Sequence, residues 1–147
     1  MSIRKYNFVN GPETSTPPTS GGTPTDDADL VPKGYADEFY GKTVSGTRAS
    51  PLLVTAGGGI STSDTMWETQ YIKGSGGAVN ITVNPQISAS TKIGSELILI
   101  CTDDTDTVQF DDGTGLLLNG NFLMTANCVL CLEWDGTNYF EKYRTER

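Results

Sequence analysis

Three cysteines stand where they could do chemistry. Cys128-Val-Leu-Cys131 has the spacing of a dithiol or of half a metal site, and Cys101 is a third thiol. The residues around them are apolar β-formers, so the segment reads as a strand, and residues three apart on a strand point to opposite faces. A bridge or a shared metal would need a turn between the two sulfurs, which the apolar run excludes. The thiols therefore read as small buried hydrophobes. A second group is acidic: Asp103, Asp104, Asp106, Asp111 and Asp112. A calcium loop of the EF-hand kind needs alternating carboxylates, a glycine at the sixth position and a closing glutamate. This stretch lacks that order, so its carboxylates suit solvated turns, with a Ca2+ at a subunit contact as the other reading.

Gly57-Gly58-Gly59 would cradle a phosphate only if Lys and Ser or Thr followed at fixed spacing, and they do not. Trp134-Asp-Gly-Thr-Asn-Tyr139 places two aromatics about a tight turn. That is either a core-closing pair or a sugar platform. The chain contains no histidine, which removes the commonest general base for Ser or Cys. Carboxylates that could cleave glycosides abound, but they sit in turns, and so small a domain implies no substrate-sized groove. The expectation is a protein that is not an enzyme, with no catalytic residue, metal or cofactor.

Composition narrows the partners. Among 147 residues, 10 are Lys or Arg and 18 are Asp or Glu, a net charge of −8. With no basic cluster, nucleic acid is not an expected partner. No run of about 18 apolar residues exists to span a membrane, and no apolar core follows the Arg4-Lys5 pair as a secretory signal requires. An odd cysteine count without such a signal points to reduced thiols made in a cytoplasm. Apolar residues make up 36% and 17 glycines add to them, enough for one domain with appendages.

The elements follow in order. In residues 1–10, Ile3 and Val9 alternate with Tyr6 and Phe8, a weak strand signal. These four residues read either as a docking arm that inserts into a neighbouring protein or as a frayed terminus. Residues 11–29 are rich in Pro, Gly and Thr and read as an extended linker. At about 3.3 Å per residue, the first 29 residues could reach about 90 Å. Residues 30–45 predict one short helix and a connector. Pro32 opens the helix, Gly41 closes it, and Tyr35, Phe39 and Tyr40 form a stripe for packing or a trimer contact. Residues 46–147 form the β-domain. Leu52-Leu53-Val54 is a short strand, and Trp67–Ile72 and Ala78–Val83 pair as a hairpin about Gly74-Ser-Gly-Gly.

The strands Leu97-Ile98-Leu99-Ile100-Cys101 and Cys128-Val129-Leu130-Cys131-Leu132 are apolar on both faces. An antiparallel sheet ordinarily keeps one face wet, so each must be covered twice. A second sheet covers one side, and a neighbouring copy in a closed ring would cover the other. The expected β-core and subunit-packing residues are Leu97, Ile98, Leu99, Ile100, Phe110, Val129, Leu130, Leu132 and Trp134.

Two motifs carry a resemblance. One runs from Gly94 and Glu96 through Leu97, Leu99, Asp103, Asp104, Thr107, Val108, Phe110, Asp112, Gly113, Gly115, Leu116, Leu118, Asn119 and Gly120. It resumes at Leu132, Trp134, Asp135, Gly136, Thr137, Asn138, Glu141 and Arg144. This ordered set, about the last third of the chain, resembles the C-terminal β-domain of phage fibre and virion-surface proteins. The other, Val31-Pro-Lys-Gly-Tyr-Ala-Asp37, is similar to a segment that phage tail-fibre proteins carry ahead of a trimeric shaft, with Ala36 in place of the usual Val. The resemblance implies a virion structural protein and a trimer, and leaves its place on the virion open.

The expectation is an all-β fold: an antiparallel β-sandwich or jelly-roll-like domain, with an extended N-terminal arm and one short helix, assembled as a homotrimer. Its function would be head decoration, as a cement protein or short head fibre. The arm would hold the major capsid protein or another virion structural protein, after assembly in the host cytoplasm. The alternative is a short tail fibre or tail adaptor whose β-domain binds a host surface glycan. A non-viral carbohydrate-binding module would leave the arm unexplained.

Overall fold

Glu96–Cys101 alternates between half-buried and buried side chains, and the larger sheet is built around it. The computed structural model describes residues 41–146. It contains β1 (Lys42–Ser45), β2 (Leu52–Val54), β3 (Trp67–Gly74), β4 (Val79–Asn80), β5 (Glu96–Cys101), β6 (Val108–Phe110), β7 (Leu116–Leu117), β8 (Phe122–Met124), β9 (Val129–Trp134) and β10 (Tyr139–Thr145). The described chain is all-β, with no helix. The helix expected over 30–41, with Tyr35, Phe39 and Tyr40, and the arm residues Ile3, Tyr6, Phe8 and Val9 lie outside the described residues. Positions 42–45, expected as connector, form strand β1 instead.

A seven-stranded sheet runs β1-β3-β5-β9-β10-β7, with β2 also on β3, and a three-stranded sheet runs β4-β6-β8. The pairing corrects the antiparallel expectation, because β1, β2 and β5 all lie parallel to β3. The reason is a coil. Trp67 pairs with Glu96 in the larger sheet and Val79 with Val108 in the smaller, both in parallel and both 29 residues apart. The chain therefore winds once through both sheets and stacks its next turn on the last, as in a β-solenoid. Ile60 bridging Ile87 in parallel, and the Thr82 amide donating to the Ala56 carbonyl at 2.8 Å, continue the stack one turn earlier.

The proposed hairpin of 67–72 with 78–83 is likewise replaced: β3 and β4 belong to different sheets. Gly74 sits at the corner between them. A Cβ there would come within 2.1 Å of the Gly77 carbonyl oxygen and 2.9 Å of that of Thr107. After β6 the winding reverses, for β8 and β9 lie antiparallel to β6 and β5. The final hairpin forms as expected, with Trp134 paired to Tyr139 across an Asp-Gly turn. Both sheets close on one core that includes Ile72, Leu97, Leu99, Phe110, Met124, Leu130 and Leu132.

Candidate functional site

Strand alternation divides the expected packing residues into two sets. Leu97, Leu99, Phe110, Leu130 and Leu132 point inward and are at most 2% exposed. Trp134 joins them with its ring tilted 51° to Tyr139 at 4.9 Å. Of the two readings of this aromatic pair, its burial fits core closure. Ile98, Ile100 and Val129 point the other way and are half-buried. They belong to the outer face of the larger sheet.

Register lays that face out in rows. The first crosses Lys42, Trp67, Glu96, Glu133 and Phe140. The second crosses Val44, Thr69, Ile98, Cys131 and Tyr143, and the third Tyr71, Ile100, Val129 and Thr145. At about 4.8 Å between strands, five strands span about 19 Å. A bulge between Glu141 and Tyr143 lets the neighbours Lys142 and Tyr143 both project from this face, since a bulge sets two residues against one. Lys142 Nζ then lies 2.9 Å from Glu96 and 3.0 Å from Glu133, and both contacts raise its pKa. Val44, Trp67 and Tyr143 remain 56%, 41% and 50% exposed.

The inner face of β3 departs from its neighbours. Glu68 and Gln70 are buried above Leu97 and Leu99. Glu68 accepts hydrogen bonds from the Ser63 amide at 2.7 Å and Gln70 Nε2 at 2.8 Å, and Gln70 also donates to the Ser61 carbonyl at 2.7 Å. A buried carboxylate is tolerated when its oxygens are satisfied in this way. Glu68 Oε2 holds the 61–63 loop through the Ser63 amide, while Oε1 accepts from Gln70 and, at 3.4 Å, from the Ser45 hydroxyl, so the group is structural.

The other chemistry-bearing residues are placed apart. Cys101 and Cys128 lie on the core side and Cys131 on the outer side, all free and buried. Burial pushes the Cys101 and Cys131 thiols up. Asp103 folds its own turn, accepting from the Thr105 and Asp106 amides at 2.9 and 3.0 Å, and these bonds hold its carboxyl down to about 2. Lys73 reaches Asp106 at 2.7 Å, and the Ala126 amide donates to Asp104 at 3.0 Å. No group of three His, Cys, Asp or Glu able to hold a metal occurs among the described residues. Gly57-Gly58-Gly59 lies beside a cleft lined by Leu52, Leu53, Ile60, Ser61 and Gln70, which carry no titratable group.

The sequence reading missed Lys42, Val44, Lys142 and Tyr143. The doubly apolar runs of β5 and β9 marked Ile98, Ile100 and Val129 of this face in advance. No protein-family model, curated protein or solved structure matches the chain.

Proposed function

We propose that this chain is a phage virion structural protein without catalytic activity. It acts as a homotrimeric head decoration, cement or short head-fibre protein, held through residues 1–29 to the major capsid protein or another virion component. The observation that carries the reading is the outer face of the larger sheet, where exposed Val44, Trp67 and Tyr143 flank half-buried Ile98, Ile100 and Val129. An assembly protein needs such a face for its neighbours, whereas a catalytic protein needs a cleft with paired reactive groups. The ordered Gly94–Arg144 motif adds the phage character. Its Asp and Gly residues make turns, with Asp135 accepting from the Thr137 and Asn138 amides at 2.7 Å in the β9–β10 hairpin.

The test is attachment. Full-length protein should bind capsids that lack it, and protein without residues 1–29 should not. Capsids without the protein should burst at lower temperature or osmotic stress. Capsids that neither bind the protein nor gain strength from it would overturn the reading. A short tail fibre binding a host glycan is the second reading, favoured by Lys33-Gly-Tyr-Ala-Asp37 and by the exposed indole of Trp67, which could stack on a sugar. It predicts binding of the full-length protein to host cells, lost in Trp67→Ala, with the shell unaffected.

A further inference from the structure

The outer face is polar in the electrical sense, with its two halves unlike. At the β1 side, Lys42 makes no ion pair among the described residues and stands beside the exposed apolar side chains Val44 and Trp67. Arg48 lies over the Tyr71 ring at 5.8 Å and donates to Asn127 Oδ1 at 2.6 Å, so its charge stands between β3 and the start of β9. At the other side, Glu96 and Glu133 share the single cation Lys142, leaving an excess negative charge beside half-exposed Tyr143 and Phe140. Both sets lie on one sheet face, joined by Ile98, Ile100 and Val129.

We infer that this face is the contact between copies of the chain, with the β1–β3 half of one copy seated against the β9–β10 half of the next. Lys42 would approach the Glu96–Glu133 pair of its neighbour, while Val44 and Trp67 would cover Tyr143 and Val129. When each half meets a different neighbour the contact is heterologous, and a contact of that kind closes into a ring when its rotation permits. Charge complementarity fixes the register, and the apolar rows supply the burial. This rests on the self-association in the proposed function and adds which residues meet.

Sedimentation equilibrium of the full chain, with circular dichroism to confirm the fold, tests it. Lys42→Glu should weaken association about 10-fold or more per contact, and Trp67→Ala should do the same without a change in spectrum. The exchange Lys42→Glu with Glu133→Lys in one chain should recover most of the loss. Association that survives both single substitutions overturns the assigned contact and leaves self-association standing. Recovery that fails in the exchanged chain, with the fold intact, overturns the pairing of Lys42 with Glu133. A single subunit at tens of micromolar overturns the contact and the assembly together.

Discussion

Leu99 and Ile98 are neighbours in sequence with similar side chains, and their positions on the strand give them different consequences. Leu99 is fully buried between the two sheets, so Leu99→Ala should cost about 3–5 kcal/mol by lost burial and cavity. Ile98→Ala, on the half-buried outer face, should cost the isolated subunit far less. Urea unfolding of both variants under conditions of dissociation would show the difference. Asp103 carries a pH dependence. Its carboxyl titrates at about 2 in the folded chain against an ordinary value of 3.8, so the unfolded state binds its proton first. The stabilisation it provides is whole above 3.8 and is lost as pH falls towards 2. Asp103→Asn should flatten acid unfolding across that window, and unfolding monitored by tryptophan fluorescence would reveal it. Which residues face inward was legible at this scale, because alternation alone sorts Leu97, Leu99, Leu130 and Leu132 together. What the outer partners are was not. Lys142 and Tyr143 share a face only because of a bulge, which no local pattern announces.

Elements were legible where the chain is locally decided and illegible where a distant turn decides. The β9–β10 hairpin follows from Trp134-Asp-Gly-Thr-Asn-Tyr139, since its residues form the turn themselves. Strand direction in β3 and β5 could not be read, because a period of two is the same for parallel and antiparallel pairing. The coil repeat left no trace either. Trp67–Ile72 and Glu96–Cys101 share no residue at stacked positions, because stacking asks only that Glu68 and Gln70 fill the places above Leu97 and Leu99. Gly74 offers the sharpest test of the coil. It lies at the corner that sends the chain from the larger sheet to the smaller, where a Cβ would strike backbone oxygens. Gly74→Ala should destabilise by about 1–3 kcal/mol through overpacking. A hairpin at this point would tolerate alanine, and thermal unfolding distinguishes the two.

At the scale of the whole molecule, two sheets wind around one core and leave one sheet with a second apolar face. Doubly apolar β5 and β9 were visible in the sequence, and the structure gives their outer residues common ground with Val44, Trp67 and Tyr143. The chain's net charge of −8 opposes self-association at long range, so the contact must come from matched patches rather than from general stickiness. The arm was read from the alternation in residues 1–10 and the linker, residues 11–29, from composition. The account stands on assembly of copies through the outer face. Sedimentation velocity of the full-length protein at micromolar concentration measures that directly. It should show a single closed species of three chains that Ile98→Asp converts to folded single subunits. A folded single subunit in the unaltered protein, or a trimer indifferent to Ile98→Asp, would contradict it.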